Sequence, residues 1–202
     1  MINVHFTEQS RLDLINLAIQ TTNAKTYLEI GCQRDVVFNA LPVEYKIGVD
    51  PERGGNRRMT SDEFFIQNSD TFDVIFIDGL HEYNQVTRDL QNALLVLNPG
   101  GIIILHDMLP LKYEETIVPM PVTAKRWLGD VWKLAFDLSN REDVNFNLIK
   151  IDCGCGVVTR APQTSKNIKT ELTWEFYEKH WEELPLRSFD EFSHMLPTLT
   201  RL

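Results

Sequence analysis

Residues 7–22 set Leu12, Leu14, Ile15, Leu17, Ala18 and Ile19 over much of one helical face, with polar residues between them. That spacing predicts an amphipathic helix, the core of an N-terminal segment covering 1–24. Four short apolar runs follow, at 27–31, 45–50, 72–78 and 101–107, each closed by Gly or Asp. Runs of this length, rich in β-branched residues, read as buried parallel strands. Between the last two, Val86, Leu90, Ala93, Leu94 and Leu97 recur at helical spacing over 84–97, and Asn98-Pro99-Gly100-Gly101 stops the helix. Thr60 and Glu63 have the spacing of a capping box, which predicts a short helix over 61–67. Repeated strand–helix–strand alternation gives an α/β fold, a Rossmann-like, doubly wound and mainly parallel sheet.

Farther on, 123–138 reads as a helix and 144–151 and 156–159 as strands. The turn Asp152-Cys153-Gly154-Cys155 between them predicts an antiparallel hairpin at the end of the sheet. From 171 to 196 the pattern turns aromatic and charged, with Trp174, Phe176, Tyr177 and Trp181 close together. This predicts a helical tail over 165–202, appended to a single domain spanning 1–202. Its aromatic residues suit core or dimer packing, and so a homo-oligomer through the tail, better than a sugar-stacking lid.

Charge and composition narrow the function. Lys and Arg number 20 against 29 Asp and Glu, a formal charge of −9, which argues against a nucleic-acid partner. No apolar run approaches the roughly 20 residues needed to span a bilayer, and residues 1–20 lack a signal-peptide pattern. Three cysteines fit a reducing compartment, and the expected location is the cytoplasm.

Open parallel sheets bind ligands beyond the carboxyl ends of their strands, where strand order reverses. The residues to watch are therefore Gly31, Asp50, Asp78 and His106-Asp107. Gly31-Cys32-Gln33-Arg34-Asp35 lacks the further glycines of a dinucleotide fingerprint, which disfavours a nicotinamide oxidoreductase. Asp50 either starts a turn with Pro51 or accepts the hydroxyls of a ribose; Gly31 upstream favours the ligand. If the strands ending in Asp78 and His106-Asp107 are neighbours, about 4.8 Å apart, their side chains converge. Two carboxylates and an imidazole make a site for Mg²⁺ or Mn²⁺. His81, three residues past Asp78, is placed for a general base, unless both histidines merely cap loops. Cys153 and Cys155 lack the further ligands of a zinc site and read as turn residues.

Glu29-Ile30-Gly31, Gly48-Val49-Asp50-Pro51, 72–81 and 98–107 together resemble class I S-adenosylmethionine-dependent methyltransferases, in particular the sugar and macrolide O-methyltransferases. The specific part is the run from Ile77 to Tyr83, followed by Asn98-Pro99-Gly100-Gly101 and His106-Asp107. The resemblance is good over 25–110, weaker to 158, and absent after 165. It implies S-adenosylmethionine as cofactor. Glu29, Gly31 and Cys32 would lie along its methionine part, Asp50 on the ribose, Ser61 and Asp62 at the adenine, and Asp78 and Gly79 beneath the sulfonium. In similar enzymes a cation, here on Asp78, His106 and Asp107, holds the acceptor hydroxyls, while Asp78 and His81 serve catalysis. The implied reaction is methyl transfer to a hydroxyl of a small molecule such as a sugar or glycosylated metabolite. Asp35 stands where the family has a second glycine and would face the cofactor's carboxylate, with Arg34 as the compensating charge. That departure keeps alive a degenerate cofactor-binding module without catalysis. The segment 108–121, with three prolines, is expected to be a mobile loop over the acceptor site.

Overall fold

Ser10 opens the first helix: its amide donates to Asp13 Oδ2 at 2.8 Å, as one arm of a capping box. The helix α1 therefore runs Arg11–Thr22 and not from residue 7, because 7–9 precede the cap outside any helix and Thr7 N donates to the carbonyl of Lys150. The computed structural model describes residues 2–169 and 171–200; Met1, Thr170, Arg201 and Leu202, which belong to the expected 1–202 domain and its tail, lie outside the described residues.

After α1 come β1 (Thr26–Ile30), α2 (Val36–Ala40), β2 (Tyr45–Val49), α3 (Ser61–Gln67), β3 (Phe72–Ile77), α4 (Tyr83–Val96) and β4 (Leu97–Leu105). A 3-10 turn at Tyr113–Glu115, α5 (Trp132–Asn140), β5 (Asn145–Ile149) and β6 (Cys155–Thr159) follow. The tail supplies α6 (Trp174–His180), a 3-10 turn at Trp181–Glu183, β7 (Leu186–Arg187) and α7 (Phe189–Leu199). The seven strands lie in the order β2-β1-β3-β4-β6-β5-β7, with β1, β2, β3 and β4 mutually parallel. Successive side chains point to opposite faces. Ile75 and Ile77 of β3 enter a core shared with Phe64 of α3, Leu90 of α4 and Phe136 of α5. Val74 and Phe76 enter the opposite one with Leu14 of α1, Phe38 of α2 and Phe192 of α7. Strands covered on both sides are why these runs are apolar throughout rather than alternating.

Three expectations change. The helix expected over 123–138 begins only at Trp132, because Gly129 adopts φ +64° and the amides of Leu128 and Gly129 both turn to the carbonyl of Glu115. The expected hairpin forms, but β6 is inserted between β4 and β5, and the sheet ends in β7 instead. The tail is thus neither wholly helical nor merely appended. Its β7 pairs with β5, its Tyr177 is fully buried with the hydroxyl on the Pro110 carbonyl at 3.0 Å, and Phe192 and Leu196 fill the second core. Trp174, Phe176 and Trp181 pack against the first core, which is core packing and not a stacking surface. The short α2 has no counterpart in the sequence pattern.

Candidate functional site

Strand order reverses between β1 and β3, and the two chains leave the sheet together. Asp78 N donates to Ile30 O and Gly31 N to Val49 O, each at 2.8 Å. Gly31 has φ +88°, and a Cβ there would stand 2.1 Å from the Asp78 carbonyl oxygen, so only glycine lets the loops after β1 and β3 touch. Above this junction opens a cleft of about 890 Å³, lined by Arg11, Glu29, Gly31, Cys32, Asp50, Ser61, Asp62, Asp78, Gly79, His81, His106 and Asp107 among others. Every site residue named from the sequence lies along this one cleft.

At its acidic end, four side chains from the ends of β3 and β4 converge. His81 Nε2 lies 3.3 Å from Asp78 Oδ1, and His81 Nδ1 lies 3.1 Å from Asp107 Oδ2. The second contact lacks hydrogen-bond geometry, and Nδ1 is buried without another partner. His106 Nδ1 faces Asp78 Oδ1 at 3.2 Å and Asp107 Oδ1 at 3.1 Å. The backbone of Asp107 sits at φ +61°, a left-handed conformation that Asp tolerates better than most side chains. Ligand atoms of Asp78, His81 and Asp107 fall within 4.8 Å of one another, as do those of His106, Asp107 and Cys153.

The charges reinforce one another. Burial alone would push Asp78 up, but the fields of His106 and His81 and their hydrogen bonds hold it well below the usual carboxylate range. Burial likewise works against protonated His81 and His106, and the facing carboxylates override it, raising both. His106 Nε2 lies 2.8 Å from the Asp152 carbonyl and 2.9 Å from Arg11 Nη1, contacts that ask for opposite roles of one nitrogen. A proton on Nε2 satisfies the carbonyl, and the carboxylates of Asp78, Asp107 and Asp152 then offset two neighbouring cations.

Toward the cofactor end, Glu29 is buried, accepts from Tyr27 Oη at 2.7 Å, and is pushed up to about 8, mainly by burial. Asp50 serves its own loop: Oδ2 accepts from Gln33 N and Oδ1 from Glu52 N and Arg53 N, each at 2.9 Å. Burial works against its charge, but these amides hold it below the usual range. Three bonds leave one of the roughly four acceptor positions of a carboxylate for a further donor. Ser61 and Asp62 open α3 on the cleft wall, where Gln85 Nε2 reaches Ser61 Oγ at 3.1 Å, Asp62 Oδ1 at 3.2 Å and Asp89 Oδ1 at 3.0 Å.

Asp35 does not face the cleft. Its backbone takes the left-handed conformation (φ +60°) that a glycine would supply, and its Oδ1 accepts from Gly55 N at 2.6 Å, tying the loop after β1 to that after β2. The side chain is thus engaged by the neighbouring loop and not by the cleft, where the sequence predicts it.

The covering of the cleft also differs from expectation. Met108, Leu109 and Pro110, the start of the expected loop, are buried, and Met108 N and Leu109 N bond the carbonyls of Gly154 and Cys153. Of that loop Met120 lines the cleft, joined by Lys125, Arg126 and Trp127 beyond its expected end. Trp127 stacks on His81 with ring centroids 5.0 Å apart, and Gly129 passes so close that a Cβ would lie 1.7 Å from the His81 carbonyl oxygen. Arg11, Gln85, Trp127 and Asp152 were not singled out in the sequence. Only Gly129, a turn glycine just after Trp127, hinted at any of them.

Comparisons with known proteins agree with this architecture. Residues 50–108 match the family model of a methyltransferase domain, the stretch from the Asp50 turn to the end of β4. The fold is similar to that of solved O-methyltransferases. The structure of the O-methyltransferase TomG from Streptomyces achromogenes, in complex with SAM, superposes with a TM-score of 0.55 at 14% identity, over 75% of this chain and 79% of that one. An O-methyltransferase from Bacillus cereus, in complex with SAH, gives a TM-score of 0.50 at 16% identity, over 77% of this chain and 83% of the other. A search of curated protein sequences returned no match.

Proposed function

We propose that the protein transfers the methyl group of S-adenosylmethionine to a hydroxyl of a small molecule, with a sugar or glycosylated metabolite as the acceptor class. The observation that carries this reading is the convergence of Asp78, His81, His106 and Asp107 at the strand ends beside the Gly31–Asp78 junction. The solved relatives named above, one bound to SAM and one to SAH, favour the same cofactor. Glu29, Gly31 and Cys32 would border its methionine part, Asp50 its ribose, Ser61 and Asp62 its adenine, and Asp78 and Gly79 its sulfonium.

His81 is assigned the general base, with Asp78 fixing its ring through Nε2. Bound S-adenosylmethionine would supply the methyl group to the acceptor oxygen and leave as S-adenosylhomocysteine, and His81 would take the proton that the oxygen gives up. The chain's contribution is alignment in a cleft closed by Trp127. The donor set also suits a divalent cation: the carboxylates of Asp78 and Asp107 converge on His106 Nδ1, at 3.2 and 3.1 Å. Asp78, His106 and Asp107 would hold Mg²⁺ or Mn²⁺, His106 only after releasing the proton it shares with the carboxylates. Such a cation lowers the pKa of a bound hydroxyl.

Among the described residues no helix is long and apolar enough to cross a membrane. Cys32, Cys153 and Cys155 are free, in keeping with the cytoplasm as the place of action. Titration calorimetry tests the reading: S-adenosylhomocysteine should bind and NAD should not. Binding of NAD alone overturns it in favour of an oxidoreductase.

A further inference from the structure

Arg11 is the first residue of α1, and its guanidinium stands on the wall of the cleft with its side chain about one third exposed. Its contacts all run through one nitrogen. Nη1 lies 2.9 Å from His106 Nε2, 3.4 Å from His106 Nδ1 and 3.3 Å from Asp152 Oδ2. The backbone amide of Arg11 adds a bond to the same Asp152 carboxylate at 3.4 Å. Among the described residues, no recorded contact uses Nε or Nη2. Those two N–H groups form the edge of the guanidinium that meets both oxygens of a carboxylate in parallel. The side chain is anchored at one corner by Asp152, and its bidentate edge is left over.

The surroundings fix the charge of this edge. Burial works against it, and the fields of Asp78, Asp152 and Asp107 together raise Arg11 further. Arg11 also acts on Glu29, on the floor of the same cleft, lowering a carboxyl that burial has raised. Glu29 and Gly31 border the end of the cleft assigned above to the methionine part of the cofactor. That part carries a carboxylate as well as an ammonium, and the carboxylate of Asp78 on the floor repels the former. Two other cations line this stretch, Arg34 and Arg53, but both are exposed and among the described residues neither side chain has an anchor. Of the three, Arg11 is the one that contacts with described residues fix in place.

We infer that Arg11 is a cofactor-binding residue, receiving the amino-acid carboxylate of S-adenosylmethionine on its Nε–Nη2 edge. This rests on the methyltransferase reading given above and adds to it a residue from the N-terminal helix. The helix then has a function besides covering the sheet: it carries one wall of the cofactor site.

Two ligands that differ by the carboxylate alone, S-adenosylmethionine and its decarboxylated form, test this by calorimetry on the wild type, Arg11→Gln and Arg11→Lys. Loss of a charge-assisted bidentate contact should weaken S-adenosylmethionine by roughly tenfold or more in Arg11→Gln. Decarboxylated S-adenosylmethionine should bind the wild type and Arg11→Gln within twofold of each other. Arg11→Lys, which keeps the charge but not the fork, should fall between. S-adenosylmethionine affinity unchanged in Arg11→Gln overturns the inference while leaving the methyltransferase reading intact, and hands the edge to an acid on the acceptor. Equal weakening of both ligands in both variants also overturns it, since Arg11 would then only be holding His106 and Asp152. Wild type that binds neither ligand overturns the methyltransferase reading, and this inference with it.

Discussion

Gly31 and Asp78 belong to different strands, yet a Cβ on Gly31 would stand 2.1 Å from the carbonyl oxygen of Asp78 and 2.6 Å from the Cα of Gly79. Both neighbours are backbone and cannot rotate away. The contact fixes the floor of the cleft, because the peptide after Asp78 lies directly against the turn that ends β1. Gly31→Ala should therefore cost about 1–3 kcal/mol for its φ of +88° alone, and more for the overlap. Chemical denaturation measures the loss. A variant as stable as the wild type would mean that the two turns do not meet in this way.

Asp50 holds three backbone amides, from Gln33, Glu52 and Arg53, so its removal frees the loop as well as any ribose contact. Each is a bond to a charged group worth about 1.5–3 kcal/mol. Asp50→Ala should weaken S-adenosylhomocysteine by more than tenfold in calorimetry and lower the melting temperature as well. Affinity held within threefold would remove Asp50 from the cofactor site.

The reactive end is tested by two separate changes. His81→Ala should lower turnover by roughly 10²–10⁴ if it accepts the hydroxyl proton. Chelator should abolish turnover while leaving S-adenosylhomocysteine binding within about twofold, because the cofactor contacts lie mainly elsewhere. Turnover indifferent to chelator rejects the cation; full activity in His81→Ala returns that ring to a packing partner of Trp127.

Lys125 and Arg126 are exposed where the chain crosses the cleft, whereas 108–110 is buried beneath it. Trypsin should cut the free protein after Lys125 or Arg126, and bound cofactor with acceptor should slow the cut. Equal rates with and without ligands would count against closure by this segment.

Asp73 lies at the opposite end of β3, where its carboxylate accepts from Lys25 N, Thr26 N, Thr26 Oγ1 and Asn98 Nδ2. Burial opposes its charge, but these bonds hold the folded pKa below the ordinary 3.8. The stabilisation is therefore complete above that value and is lost as pH falls through the lower folded one. The melting-temperature gap between wild type and Asp73→Asn should be constant from pH 5 to 7 and shrink below about pH 4. A gap that widens in acid would reverse the assignment.

Local pattern was enough for much of this protein. The apolar runs gave β1 to β4 because strands buried on both faces must be apolar along their whole length. Thr60 and Glu63 marked α3 because a capping box is a contact between near neighbours. Gly31, Asp50, Asp78, His81, His106 and Asp107 could be named because a parallel sheet puts its strand ends in one place. Other features depend on residues far apart in the chain, which no local spacing records. Insertion of β6 beside β4 and the addition of β7 were settled by pairing across the sheet. The helix expected over 123–138 gave way to Trp127 and Gly129 packing on His81, some 46 residues earlier. Asp35 was turned away from the cleft by an amide 20 residues on, and Arg11 was brought to His106 across 95 residues. The sequence by itself determined which strands end in reactive side chains, since that follows from short-range periodicity and turn chemistry. Only the tertiary structure decided what faces those side chains, because each such contact is set by the packing of whole elements against one another.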